Sequence, residues 1–440
     1  MGKLTFRGGI HPYEGKELSK DHPIEKYLPK GDLVYPLSQH IGAPSVPCVK
    51  KGDTVLAGQK IADAGGFVSV PLHASVSGTV KGIEKRLNAT GSMVDCIVIE
   101  NDQQYQETEF QEARLEDLTK EEILNRIKEG GVVGMGGAGF PTHVKLAPKD
   151  PSKIEYILVN GAECEPYITS DYRRMIEEPE KVVKGLQVIL TLFDSAKGYI
   201  CIEDNKPDCI AKMKELVKDI DRIEVKEMMT KYPQGGERTL IYAATGREIN
   251  STMLPADVGC VFDNVETVIS GYKAVILGRP VNSRVVTVTG DGIKEPKNLL
   301  VLAGTDMSEL VDAAGGLKAK IAKAISGGPM MGFAMFGLDV PTTKTTSALL
   351  CLTEDAVEDA SQNATACINC GRCVEACPSR IVPSRLADFA ENHLEEPFEQ
   401  WHGMECVECG SCSFTCPAKR NLAQSIKSMR KTILANRRKK

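Results

Sequence analysis

The sequence lacks any long apolar run. No stretch approaches the roughly 18 consecutive apolar residues that a membrane span needs, so no transmembrane segment is expected. The N-terminus, Met-Gly-Lys-Leu-Thr-Phe-Arg, has no apolar region of the secretory kind, and no signal peptide is expected. A dominant charge is missing too. The chain carries 54 Lys and Arg against 59 Asp and Glu, a balance that does not indicate nucleic acid as a partner. Aromatic residues amount to 5%, and Trp401 is the single tryptophan. These absences leave a chain that is soluble or peripheral to a membrane. Its 440 residues have room for three or four domains.

Cysteine is abundant and unevenly placed. Of 15 cysteines, eight fall in two runs: Cys367-Ile-Asn-Cys370-Gly-Arg-Cys373-Val-Glu-Ala-Cys377-Pro378 and Cys406-Val-Glu-Cys409-Gly-Ser-Cys412-Ser-Phe-Thr-Cys416-Pro417. Both read C-x2-C-x2-C-x3-C-P, the spacing that holds two [4Fe–4S] clusters, with the fourth Cys of each run ligating the other cluster. Cys367, Cys370, Cys373 and Cys416 are therefore assigned to one cluster, and Cys406, Cys409, Cys412 and Cys377 to the other. Structural zinc also accepts thiolates at C-x2-C spacing, but it does not need this four-cysteine run twice. The other seven cysteines share no ligand spacing, and most of them read as buried small hydrophobes. His393 and His402 lie near the runs, yet all eight thiolate places are already filled. His11 and His73 read as packing or surface residues.

The first hundred residues alternate short apolar runs with turns such as Lys51-Gly52-Asp53 and Ser77-Gly78-Thr79, the pattern of a small all-β unit. Val49–Asp53 and Ala74–Val80 resemble biotinyl and lipoyl carrier domains. The exposed hairpin of a carrier needs a lysine, and Ala64–Val70 has none, so the resemblance implies a barrel-sandwich hybrid without a prosthetic group. A helix follows, opened by the capping box Thr119-Lys-Glu-Glu122 and striped with Ile123, Leu124 and Ile127. Next comes a glycine loop containing Gly134, Gly136, Gly137 and Gly139, then Phe140, Pro141 and Lys145. Glycines let backbone approach a phosphate closely, and N–H groups at a following helix start meet the anion. Alternating strands and helices from Ile154 to Val225 indicate an α/β layer. The strand ending at Val159 runs into Asn160-Gly-Ala-Glu163-Cys-Glu165-Pro166, at the strand end where such sheets bind ligands. A small β unit begins at Arg284. The turn Ser326–Gly332 lacks the lysine and hydroxyl of a phosphate loop and reads as structural. The last 22 residues carry nine Lys and Arg and no acid, which fits either a solvated helical tail or contact with an acidic partner or anionic membrane.

Four segments, Gly134–Lys145, Asn160–Pro166, Tyr232–Glu237 and Asn264–Thr267, resemble in order the flavin site of the FMN- and NADH-binding subunit of respiratory complex I. The resemblance implies that Gly134, Gly136, Gly137, Gly139, Lys145, Asn160, Tyr232, Gly235, Glu237 and Asn264 hold FMN. It implies that Phe140 stacks near the nicotinamide, and that Glu163 and Glu165 border the NAD(H) pocket. Met135, Ala162, Gly236 and Asp263 depart from that pattern. The whole order, with Phe6-Arg7-Gly8-Gly9-Ile10-His11-Pro12 at its start, is similar to the RnfC family, a component of Rnf-type ferredoxin:NAD+ oxidoreductases.

The expected fold is a multidomain α/β plus β chain. Residues 1–105 form a barrel-sandwich hybrid, 106–280 a Rossmann-like FMN/NADH domain, 281–353 a β-grasp module and return strand, and 354–425 a two-cluster ferredoxin-like domain, followed by a basic tail at 426–440. The resemblance implies an enzyme subunit with FMN, NAD(H) and two [4Fe–4S] clusters. It implies a place on the cytoplasmic side of a membrane, among other subunits of the complex that move Na+ or H+, with ferredoxin an indirect partner. A flavin belongs between nicotinamide, which exchanges hydride, and clusters, which exchange single electrons. Two alternatives are a soluble corrinoid reductase with the same domains and an electron-wiring subunit without its own NADH site.

Overall fold

The computed structural model describes residues 3–439. Near the N-terminus, two small antiparallel sheets face each other. One orders its strands Leu33–Pro36, Met93–Asn101, Gly78–Leu87 and Thr54–Val55; the other orders Val46–Pro47, Lys60–Asp63 and Leu72–His73. Inward-pointing Leu33, Tyr35, Ile61, Leu72, Val80, Ile97 and Ile99 fill the space between them. Alternation is clear at the start of Gly78–Leu87, where Gly78 and Val80 are buried between exposed Thr79 and Lys81, whereas Cys96–Ile99 are buried without a break.

The central layer is a four-stranded parallel sheet with strand order Ile223–Met228, Lys197–Glu203, Tyr156–Gly161, Cys260–Asn264. Helices Pro179–Thr191, Pro207–Val217 and Val265–Val275 supply Val182, Leu186, Met213, Val268 and Ile269 to its core. The capping box is present. Glu122 N donates to Thr119 Oγ1 at 3.3 Å and Thr119 N donates to Glu122 Oε2 at 2.8 Å, which starts the helix Lys120–Glu129. Two helices that the sequence pattern does not announce, Ser170–Glu177 and Glu237–Thr245, follow the two polar loops of the sheet.

A six-stranded mixed sheet comes next, in the order Ile24–Lys26, Lys297–Leu302, Ser283–Thr289, Ala348–Leu352, Lys323–Ser326, Phe333–Met335. Its first strand is contributed by the N-terminal segment, through parallel pairing of Ile24–Lys26 with Asn298–Leu300. The residues before the first sandwich strand thus include a strand whose partner lies in a distant part of the chain.

The cysteine runs lie in a small helical unit. Leu386, Phe398, Ile426, Met429 and Ile433 form its core. One helix runs unbroken from Leu422 to Lys439. Its face at Ile426, Met429 and Ile433 is buried, at roughly helical spacing, so much of the basic segment is docked against the helix Pro383–Glu391. Among the described residues no helix is long and apolar enough to cross a membrane.

Candidate functional site

Parallel strands Tyr156–Gly161 and Cys260–Asn264 are neighbours, with Asn160 paired to Asn264 in register at their C-terminal ends. Strand ends of this kind leave a crevice where loops diverge. The glycine loop closes over it. Gly134 N donates to Phe140 O at 2.8 Å, and Val133 bridges Pro141. The loop tip at Gly136, Gly137 and Ala138 is exposed. A Cβ on Gly136 would lie 3.0 Å from Asn264 Cβ, whereas one on Gly137 would meet nothing within 4 Å. Gly139 has φ of +71°, and a Cβ there would lie 2.9 Å from Gln39 O. The sandwich domain therefore buttresses one side of this loop.

The remaining positions converge from the other side. Lys145 Nζ donates to Phe262 O at 2.7 Å and to Asp263 Oδ1 at 2.9 Å, while Asp263 Oδ2 is buried without a partner. The Asn160 side-chain amide donates to Gly235 O at 3.0 Å. Asn264 Nδ2 donates to Asp171 Oδ2 at 2.6 Å, and Asn264 Oδ1 accepts from Glu266 N at 2.9 Å. Glu237 opens the helix Glu237–Thr245, and desolvation pushes its carboxyl up while Lys145 opposes the rise. Phe140 is half-buried beside the loop.

Both acidic residues of the Asn160–Pro166 loop are occupied by backbone amides. Glu163 Oε1 accepts from Asp171 N at 2.7 Å and Oε2 from Tyr172 N at 3.3 Å, so the side chain covers the start of helix Ser170–Glu177. Glu165 Oε1 accepts from Met331 N at 2.8 Å and Oε2 from Met330 N at 3.2 Å. Burial pushes the Glu165 carboxyl up to about 7. Its partners belong to the glycine-rich turn Ser326–Gly332, which is thereby tied to the site.

Two lysines carry no mark of their role in the sequence. Lys16 Nζ donates to Ile168 O at 2.6 Å and Glu165 O at 3.1 Å, and Lys206 Nζ donates to Ala162 O at 2.6 Å. Both are buried. They grip a loop in which Glu163 and Tyr167 hold φ of +48° and +68°, backbone that L residues adopt only under outside constraint. The carbonyls they hold are more than a hundred residues away for Lys16 and some forty for Lys206, although Lys206 also donates to its neighbours Asn205 Oδ1 at 2.8 Å and Glu203 Oε2 at 3.4 Å.

The cysteines form two groups of four. Cys367, Cys370, Cys373 and Cys416 line one cavity of about 220 Å³. Cys377, Cys406, Cys409 and Cys412 line a second, narrower one. The runs repeat each other's backbone: Gly371 and Gly410 have φ of +78° and +77°, and Asn369 and Glu408 have φ of +55° and +58°. Each group joins three cysteines of one run with the fourth of the other. Among the described residues no three His, Cys, Asp or Glu side chains close to the spacing of a single ion. Four thiols around a cavity suit an iron–sulfur cube better than zinc. The flavin residues fit as well, since an open glycine tip beside Lys145 and two strand-end asparagines offers donors to an anionic nucleotide.

The fold and these sites define an electron-transfer flavoprotein with two iron–sulfur clusters. Four family models match: an RnfC barrel-sandwich hybrid domain over residues 4–104, a Nuo51 FMN-binding domain over 127–272, an SLBB domain over 285–334 and a 4Fe-4S dicluster domain over 366–420. The C subunit of the Na(+)-translocating ferredoxin:NAD(+) oxidoreductase complex of Acetobacterium woodii is 44% identical over 99% of this chain and 98% of its own length. Its counterpart in the proton-translocating complex of Clostridium ljungdahlii is 46% identical over 97% and 93%. The chain belongs to this family, the RnfC components of ion-translocating ferredoxin:NAD(+) oxidoreductase complexes. It spans half the length of the Vibrio cholerae relative, to which it is 39% identical over 88% of its own length. The air-oxidised NAD+-reducing [NiFe]-hydrogenase shares the fold at a TM-score of 0.50 and 17% identity, covering 71% of this chain and 63% of that one.

Proposed function

We propose that this chain exchanges hydride between NAD(H) and FMN at the crevice above Asn160 and Asn264, and relays single electrons through its two four-cysteine sites. The observation that carries this reading is the physical join between them. Tyr232 and Gly235 lie on one loop; the Tyr232 hydroxyl donates to Cys409 O at 2.7 Å, and Gly235 packs against Asn160. Bound FMN supplies the ability to take a hydride and release electrons singly.

The residues divide the work by position. Gly136, Gly137 and Gly139 would present backbone N–H groups to the flavin phosphate, Gly134 closes the loop through its bond to Phe140 O, and Lys145 adds charge. Asn160, Asn264, Gly235 and Glu237 border the ring, and Tyr232 closes the cluster side. Phe140 offers a face for the nicotinamide. Glu163 and Glu165 act by shaping the pocket wall, because their oxygens already accept backbone N–H groups. Cys367, Cys370, Cys373 and Cys416 hold one [4Fe–4S] cluster, and Cys377, Cys406, Cys409 and Cys412 the other.

In finer terms the central layer is Rossmann-like, the six-stranded sheet a β-grasp module and the cysteine unit ferredoxin-like, with divisions near 105, 280, 353 and 425. The protein sits peripherally on the cytoplasmic side of a membrane complex, receives ferredoxin electrons through other subunits, and leaves Na+ or H+ translocation to them.

Anaerobic titration of the purified chain with NADH tests this. The flavin band bleaches and cluster signals then appear in electron paramagnetic resonance. If dithionite reduces the clusters while NADH reduces nothing, the hydride reading fails. A second expectation concerns Gly136→Val. Its added bulk projects at Asn264, so FMN content falls several-fold with iron unchanged; full FMN retention places the flavin elsewhere.

A further inference from the structure

The motif Phe6-Arg7-Gly8-Gly9-Ile10-His11-Pro12 lies between the flavin loop and the second cysteine cavity. Met229 N donates to Leu4 O at 2.9 Å, which starts the segment along the edge of the central sheet. Lys231 Nζ then donates to Phe6 O at 2.7 Å and sits 4.4 Å above the Phe6 ring. Ile10 and Tyr232 exchange both backbone bonds, at 2.8 and 2.9 Å. On the other side, Gly9 N donates to Ala376 O at 2.9 Å, beside the ligand Cys377.

Glycine is required twice here. Gly8 and Gly9 both have φ of +81°. A Cβ on Gly8 would lie 2.7 Å from Cys377 O, and one on Gly9 would lie 2.7 Å from Tyr232 O. The strap therefore fits between two backbones that already nearly touch it. Tyr232 completes the clamp. It is 1% exposed, and its hydroxyl reaches Cys409 O. The space around it is apolar: Ile10, Tyr232, Ala376 and Cys409 pack together, with Cys164, Met330 and Val407 against them. Two ligand loops that are 32 residues apart in sequence, at Cys377 and Cys409, are thus held by one strap and one phenol (409 − 377). The first cavity stands apart from this contact, with Cys370 and Ile368 exposed.

We infer that the strap Phe6–Pro12 and Tyr232 form a positioning device that fixes the second cluster's loops against the flavin site and so sets the rate of electron exchange between them. The inference rests on the flavin and cluster assignments proposed above. Each transfer moves one electron from the reduced flavin site to the oxidised cluster held by Cys377, Cys406, Cys409 and Cys412. No bond is made or broken, and NADH supplies the hydride that restores the donor. Gly9 and Tyr232 are positioning residues in this scheme.

The test uses the full chain with Tyr232→Phe, which removes only the hydroxyl, and Gly9→Ala, which adds one methyl against Tyr232 O. FMN and iron contents are measured first. Stopped-flow absorbance after NADH mixing then separates flavin bleaching from cluster reduction. Hydrogen–deuterium exchange of the cluster-loaded chain, kept anaerobic, follows the amides at 376–377 and 407–412. The inference predicts near-normal FMN and iron and normal bleaching in Gly9→Ala, and in both variants faster exchange at both loops and a several-fold slowing of cluster reduction relative to flavin bleaching. Unchanged cluster reduction and exchange in Tyr232→Phe, with both cofactors retained, overturns it. So does loss of FMN in Tyr232→Phe with normal loop exchange, which makes the tyrosine a flavin contact alone. If Gly9→Ala does not fold, Tyr232→Phe decides by itself. Failure of the underlying assignments is distinguishable, because the unmodified chain would then show no NADH-dependent bleaching.

Discussion

Replacing Arg174 by methionine is expected to destabilise the chain by about 3–5 kcal/mol, the usual cost of leaving one buried charge without its partner. Arg174 is 2% exposed. Its Nε and Nη2 donate to Glu266 Oε2 and Oε1 at 2.7 and 3.0 Å, a bidentate pair, and Nη1 reaches Glu178. Glu266 is equally buried, and its backbone N–H is capped by Asn264. The pair thus supports the helix Val265–Val275 that Asn264 caps. Burial pushes the Glu266 carboxyl up, and Arg174, Lys273 and Arg284 together more than offset it, so its pKa lies below the ordinary value. In the native chain this contributes stability above the unfolded carboxylate pKa, lost as pH falls through the lower folded value. Without Arg174, burial is opposed only by Lys273 and Arg284, and the carboxyl pKa moves up. The gap between variant and native chain should therefore narrow as pH falls from 8 toward 5, about the range in which a buried carboxyl takes up its proton. Thermal unfolding across that range measures it, together with FMN content, which should drop. A constant gap would mean that Glu266 is not the group left unpaired. Arg174→Met combined with Glu266→Gln should recover part of the loss.

The parts of the fold that were legible from sequence are those encoded locally. The capping box at Thr119 and Glu122, the buried parallel strands and the repeated cysteine runs each carry their signal within about a dozen residues. What stayed hidden depends on distant partners. Nothing in Ile24-Glu-Lys26 indicates pairing with Asn298–Leu300. The helices Ser170–Glu177 and Glu237–Thr245 are mixed in composition and follow the loops of the site, and tertiary packing decides them more than propensity does. The C-terminal segment looked like a charged tail because Lys and Arg outnumber its apolar residues, yet Ile426, Met429 and Ile433 give one buried face.

The candidate site divides in the same way. Residue types at the strand ends, the glycine loop and the cysteine spacing could be read in advance, since each follows from local chemistry. The destinations of the carboxylates could not. Glu163 and Glu165 sit where acidic residues face a ligand crevice, but their oxygens meet the amides of Asp171, Tyr172, Met330 and Met331. Lys16 and Lys206 look like surface lysines in sequence, and only the folded loop shows the carbonyls that bury them. Gly8 and Gly9 needed the cluster loop above them before their conformation had a cause.

Serine substitutions at Cys370, Cys409 and Cys377 should give two phenotypes, sorted by cavity and not by sequence run. Each removes one ligand of a four-thiolate site, so iron should fall from about eight to about four atoms per chain. Cys370 lines the cavity that opens to solvent. Its loss leaves the second site, and NADH should still reduce the remaining cluster through the flavin. Cys409 lies under Tyr232, in the cavity joined to the flavin loop. Its loss should leave flavin bleaching by NADH intact and abolish rapid NADH-driven reduction of the surviving cluster, although dithionite still reduces it. Cys377 is the discriminating case. In sequence it belongs to the run of Cys370, whereas in space it lines the cavity of Cys409. Cys377→Ser should therefore behave as Cys409→Ser does. If it matches Cys370→Ser instead, each run ligates its own cluster and the crossed assignment of the fourth cysteines is wrong. Electron paramagnetic resonance after NADH and after dithionite distinguishes the two patterns, because both reductants act on the same sample and only the route to the surviving cluster differs.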